Sequence, residues 1–179
     1  MVQDVNIAWH AGKSCWGKYK NLNENSIGIE LVNKGHQFGY TNFKKKQILS
    51  LVILCKKIVK KYRIKKKNFL GHSDIAPLRK IDPGEKFPWE YLAKNEIGIW
   101  HNYKISFLKK FRKENLLTKK EKRKFFKNLI KIGYCLSTNN SSFFNKIIKA
   151  FQRHFRKELI NGAMDKECFL IAENLAKKL

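Results

Sequence analysis

His72 and Asp82 stand ten residues apart, across a segment that contains Pro77. Imidazole and carboxylate are both good zinc ligands, and a constrained loop at a strand end can bring two such groups onto one ion. Lys80 lies two positions before Asp82. In an extended segment the two side chains share a side, where the ammonium could stabilise an oxyanion on a metal-polarised carbonyl. Glu30 is a candidate general base for a zinc-bound water. Arg79 offers a planar fork that could grip a substrate carboxylate through two parallel bonds. Taken singly, each residue also has a plainer reading: a hydrogen-bonded histidine, a turn aspartate before Pro83-Gly84, a surface lysine, a strand-edge charge, a surface salt bridge.

The elements that must position these groups show as patterns. Ser26 to Val32 alternates, with Ile27, Ile29 and Leu31 on one face and Gly28, Glu30 and Val32 on the other; this predicts a half-buried strand. Gly28 leaves room beside Glu30, and Asn33-Lys34-Gly35 reads as a turn. A long helix over about 43–62 is predicted, capped by Thr41 or Asn42. Ile48, Leu51, Val52, Cys55, Ile58, Val59 and Tyr62 form its core stripe. Asn68 to His72 reads as a second strand with His72 at its end, so a βαβ unit with a parallel strand pair is expected. All three prolines fall in an irregular loop over 73–88, where a rigid scaffold can build a site. From about 104 to 120 lysine dominates and anchors are few, which reads as a connection. Three short helices follow, over about 118–132, 144–155 and 165–179, with inward-facing Phe125, Leu129, Ile147, Phe151, Phe169 and Leu175 among others.

Composition narrows the function classes. The chain has 179 residues, 43% hydrophobic, which suffices for a packed core and excludes a disordered chain. No run of about 18 uncharged apolar residues appears, and Met1-Val2-Gln3-Asp4 lacks the charged and apolar regions of a signal peptide. Cys15, Cys55, Cys135 and Cys168 show no CxxC spacing and read as free, packed thiols. The net charge of +25 is spread over both halves on amphipathic stretches, such as Lys56, Lys57, Lys60 and Lys61 beside Ile58 and Val59. That reads as solvated lysine faces, which an anionic wall polymer or membrane surface would also attract. Aromatic-basic motifs that read RNA or DNA are absent, so no specific nucleic-acid partner is expected.

Taken in order, the segments are far more specific. Trp9-His10-Ala11-Gly12, then Asn23-Glu24-Asn25-Ser26-Ile27-Gly28-Ile29-Glu30-Leu31, then Gly71-His72-Ser73-Asp74-Ile75-Ala76-Pro77-Leu78-Arg79-Lys80-Ile81-Asp82-Pro83-Gly84 and Phe87-Pro88-Trp89 strongly resemble the zinc-dependent N-acetylmuramoyl-L-alanine amidases of the type-2 amidase family. The match runs from about residue 3 to 93. Ile132-Gly133-Tyr134, Ala150-Phe151-Gln152-Arg153-His154-Phe155 and Asn161-Gly162-Ala163-Met164-Asp165 resemble, less specifically, the three-helix peptidoglycan-binding domain often appended to these enzymes.

The resemblance implies an α/β amidase domain over 1–99, a mixed sheet with flanking helices, then a linker over 100–117 and an all-α three-helix domain over 118–179. It implies Zn2+ as cofactor, His72 and Asp82 as its ligands, Glu30 as the catalytic carboxylate and Lys80 as the transition-state cation. His10 matches a family histidine near the cleft that is not a zinc ligand, and with Arg79 it is a candidate substrate contact. The family's third ligand is a histidine on a first strand well upstream of Trp9-His10-Ala11-Gly12. The amidase domain is therefore expected to be N-terminally incomplete, with His10 or His36 as possible substitutes. The implied substrate is peptidoglycan or muropeptide, in the cell envelope or periplasm, with the cytoplasm as the other family location. The alternative function is a truncated, inactive amidase that binds peptidoglycan.

Overall fold

The computed structural model describes residues 2–3, 5–112, 117–136 and 141–179, with only the backbone of Ser141. Its first regular element is a tight hairpin of β1 (Cys15–Trp16) and β2 (Tyr19–Lys20), paired antiparallel with Cys15 opposite Lys20 and Trp16 opposite Tyr19. Among the described residues this ladder is the only sheet. The fold is thus mixed α/β, with a small two-stranded sheet and many helices.

The two strands expected to flank the site are not strands here, and the parallel pair is absent among the described residues. Ser26 to Val32 keeps its alternation but joins no ladder. Leu31 packs against the cluster of Ile48, Leu51, Val52 and Phe87, while Ile27 and Ile29 stay exposed and Val32 is 92% exposed. Alternation reports only that one face is apolar; a strand also needs a neighbour about 4.8 Å away to pair with. Asn68 to His72 differs for a local reason. Lys66–Asn68 is a 3₁₀ turn, Phe69 and Gly71 are extended, and His72 opens a short helix, α2 (His72–Ile75). The Asp74 carboxylate accepts the Gly71 backbone N–H at 2.8 Å and closes that turn.

The helices follow the sequence closely. α1 (Lys45–Tyr62) buries Ile48, Leu51, Val52 and Cys55, although Lys44 rather than Thr41 or Asn42 occupies the cap position and makes no side-chain cap bond. α3 (Trp89–Lys94) lays Trp89 and Leu92 against that face, together with Phe87 and Ile97. α5 (Lys119–Ile132) begins with a capping box, in which Thr118 Oγ1 accepts the Glu121 N–H and Glu121 accepts the Thr118 N–H. α6 (Ser141–Phe155) and α7 (Lys166–Lys177) follow, the latter capped by Asp165, which accepts the Cys168 N–H at 2.9 Å. The segment read as a connection carries α4 (Ile105–Leu108) and buries His101, Leu108 and Leu117. Its residues 113–116 lie outside the described ones. No helix among the described residues is long and apolar enough to cross a membrane.

One buried cluster joins the two ends of the chain. Ala11, Trp16 and Leu22 share it with Phe125, Leu129, Ile147, Phe151, Ile171 and Leu175 of α5, α6 and α7. At this junction the expectation of four free thiols fails. Cys15 and Cys135 form a disulfide with a Cα–Cα separation of 6.1 Å, well within bonding range. A pairing across 120 residues leaves no spacing signature in the sequence. Cys55 and Cys168 are free and buried as expected, their thiols pushed by burial to about 11 and about 12, so both stay protonated at neutral pH.

Candidate active site

His72 projects from the first position of α2, and Asp82 from the loop that returns past it. The Ser73 N–H donates to the Asp82 carbonyl at 2.9 Å, which locks the two segments side by side. Gly71 is required by this closure: a Cβ there would lie 2.6 Å from Pro83 Cδ and 3.3 Å from the Trp89 ring. The result places His72 Nδ1 3.1 Å from Asp82 Oδ2.

The histidine tautomer follows from its other contact. His72 Nε2 lies 3.2 Å from the Ala11 carbonyl oxygen. A carbonyl can only accept, so Nε2 carries the proton, and in the neutral ring Nδ1 turns a lone pair toward a carboxylate oxygen. Two such donors face each other comfortably only across a cation. Burial raises the Asp82 carboxyl; with a proton on Nδ1 in place of a metal, the ring donates to Asp82, and that hydrogen bond and charge, with the Lys80 charge behind them, outweigh burial and hold Asp82 below the usual carboxylate range.

The loop carrying His10 and Ala11 is clamped from three sides. Asn23 Oδ1 accepts the Ala11 and Gly12 N–H groups at 2.7 and 3.1 Å. The Arg79 guanidinium donates to the Ala11 carbonyl, and to the Lys13 carbonyl at 3.0 and 3.2 Å. His10 bonds the Ala8 carbonyl at 2.8 Å and Ser26 Oγ at 2.9 Å, with its ring against Gly28, where a Cβ would lie 2.6 Å from Cγ and Cδ2. Glu30 is exposed two residues further on, between Gly28 and Val32, whose carbonyl accepts from Gln47. Lys80 is half-buried in the turn after α2. His36 lies instead in a second cluster, 3.0 Å from Glu85 and with its ring tilted 31° against that of Tyr40. Burial raises the Tyr40 hydroxyl to about 12, and that hydroxyl donates to the Pro83 carbonyl at 2.6 Å.

Comparisons with known proteins show the family. The family model for N-acetylmuramoyl-L-alanine amidases matches residues 1–85. N-acetylmuramoyl-L-alanine amidase AmiD of Escherichia coli is 38% identical over 185 residues, taking in 99% of this chain and 66% of AmiD. The solved AmiD complex with anhydro-N-acetylmuramic acid-L-Ala-D-gamma-Glu-L-Lys has a TM-score of 0.86 at 36% identity, over 99% of this chain and 71% of that one. The chain belongs to the N-acetylmuramoyl-L-alanine amidase family. A second solved structure, AmpDh3 of Pseudomonas aeruginosa in complex with an anhydromuramic pentapeptide, gives a TM-score of 0.85 at 36% identity over the same shares. The 1,6-anhydro-N-acetylmuramyl-L-alanine amidase AmpD of Haemophilus influenzae is 44% identical over 98 residues, or 52% of this chain and 51% of AmpD. This amidase chain thus spans about two thirds of the length of AmiD and about half that of AmpD.

Zinc fits two corners of the site. Ligands about 2.0–2.1 Å from a tetrahedral zinc lie about 3.3 Å apart, close to the 3.1 Å between His72 Nδ1 and Asp82 Oδ2. The Nε2–H bond to a backbone carbonyl is the outer contact that metal-ligating histidines use to fix their tautomer. Among the described residues, no group of three His, Cys, Asp or Glu converges on one point, so neither His10 nor His36 substitutes as a third ligand here.

One further buried group lies beside His72. Asp74, only 2% exposed, accepts the Tyr134 hydroxyl at 2.6 Å and His154 Nδ1–H at 2.8 Å, besides the Gly71 N–H. Burial, and then the Asp74 charge, raise the Tyr134 hydroxyl well above its ordinary value. A small acidic residue three places after a glycine, at the start of a short helix, was the available signal; its two distant partners had none.

Proposed function

We propose that this chain is a peptidoglycan amidase, hydrolysing the amide between N-acetylmuramic acid and the L-alanine of the stem peptide. The observation that carries the reading is the 3.1 Å approach of His72 Nδ1 to Asp82 Oδ2, with the His72 proton placed on Nε2 by the Ala11 carbonyl. His72 and Asp82 hold Zn2+ through these two atoms. When bound, the metal polarises the scissile carbonyl and lowers the pKa of its water. Glu30 accepts the proton of the attacking water. Lys80 holds positive charge where the oxyanion develops. His10 and Arg79 meet the substrate by way of the loop at residues 10–13 that both fix.

Several motif residues of the helical part are interior. Phe151, Gln152 and Phe155 are buried, and Gln152 Oε1 accepts the Gly162 N–H at 2.8 Å while its amide donates to the Ala163 carbonyl at 2.9 Å. These residues build the three-helix unit, so any wall-binding surface lies on its outer faces. The Cys15–Cys135 disulfide favours an oxidising compartment, the cell envelope or periplasm, over the cytoplasm.

Zinc-titrated hydrolysis of a purified muropeptide tests the reading. Release of the stem peptide should rise with zinc, and Glu30→Gln should lower kcat by about 10²–10⁴-fold. The second reading, peptidoglycan binding without turnover, is favoured by the two-ligand metal set among the described residues. Retention on sacculi with no stem-peptide release at saturating zinc would select it.

A further inference from the structure

The turn that presents His72 is held from the far end of the chain. Asp74 closes that turn through the Gly71 N–H, and its remaining hydrogen bonds come from Tyr134, just after α5, and His154, on α6. All three side chains are buried: Asp74 and Tyr134 are 2% exposed and His154 is 4% exposed. The His154 ring stacks on Trp89, 3.9 Å away and 16° from parallel, and the Trp89 ring in turn backs Gly71. Tyr134 is fixed from behind. Trp16 packs against it edge to face at 4.9 Å, the Gly17 N–H donates to the Gly133 carbonyl, and the Cys15–Cys135 disulfide closes the same corner. A buried carboxylate accepting from two side chains and one backbone group has few alternative orientations, because any rotation leaves a polar group unpaired in the interior.

The geometry points to Asp74, Tyr134 and His154 as positioning residues for the metal ligand His72, so that the helical part 118–179 is a built-in support of the ion site rather than a detachable wall-binding module. This rests on the His72–Asp82 metal reading above. Tyr134→Phe deletes one hydroxyl from a packed ring and leaves Asp74 unevenly satisfied. His72 should then lose its fixed direction while the chain stays folded.

Cobalt(II), used alone as a spectroscopic substitute for zinc, tests the inference on the full chain. The wild type should bind one Co2+ with visible absorption bands, and His72→Ala should not. Tyr134→Phe and Asp74→Asn should weaken Co2+ binding at least tenfold and shift the bands, with far-ultraviolet circular dichroism unchanged. Thr118→Ala, which removes the α5 cap without touching Asp74, should lower the melting temperature and leave Co2+ affinity as in the wild type. That contrast separates positioning from general loss of stability. Should Asp74→Asn fail to fold, Tyr134→Phe carries the test. Wild-type affinity and spectrum in a folded Tyr134→Phe chain would overturn the inference while leaving the metal site intact. No Co2+ binding by the wild type would instead overturn the metal reading, and the inference with it.

Discussion

At residue scale, the site works by giving its polar atoms fixed partners. The Ala11 carbonyl fixes where the His72 proton sits, and Arg79 fixes the Ala11 carbonyl. Gly28 has no side chain because the His10 ring fills the space, so Gly28→Ala should destabilise the chain by about 1–3 kcal/mol through overpacking; unchanged thermal melting would show that the ring can move aside. The Glu121 carboxylate gives a clean pH dependence. Its hydrogen bond from Lys166, then those from Thr118, pull it down to about 2. A folded pKa below the unfolded value of about 4.3 adds stability above that value and loses it as pH falls toward about 2. Melting temperatures of the wild type and Glu121→Gln should therefore converge between pH 4.5 and 2. Parallel curves would place the ion pair outside the folded-state balance.

At the scale of elements, helices were legible and the sheet was not. α5 and α7 start within one residue of their expected positions, because Thr118 and Asp165 are capping residues and the apolar stripes behind them repeat at helical spacing. The stripe of α1 was legible over Ile48 to Cys55, whereas Tyr62, read as its last member, is exposed. Ser26 to Val32 failed as a strand because pairing depends on a neighbour that alternation cannot reveal. His72 and Asp82 could be picked out by residue type, but the Asp74, Tyr134 and His154 cluster could not, since its contacts reach across 60 and 80 residues. Val32 and Trp9 are 92% and 90% exposed, and exposed large apolar side chains favour self-association. Val32→Lys should reduce self-association in light scattering; equal scattering by both chains would place the self-associating surface elsewhere.

At the scale of the whole molecule, the N-terminal loops and the C-terminal helices share one interior. Phe151 sits in the cluster that also holds Ala11, Trp16 and Leu22. Phe151→Ala should cost about 3–5 kcal/mol and weaken both ends of the chain in one cooperative transition. Two separate transitions in calorimetry would contradict a shared core. Reducing the Cys15–Cys135 bridge, which spans 120 residues, should cost a further 2–4 kcal/mol or about that. The central claim is that His72 and Asp82 together hold a divalent ion. Its most direct test is metal stoichiometry by elemental analysis after dialysis against zinc, for the wild type, His72→Ala and Asp82→Ala. One zinc per wild-type chain and none in either variant is the predicted result; a zinc-free wild type, or variants that keep the metal, would contradict it.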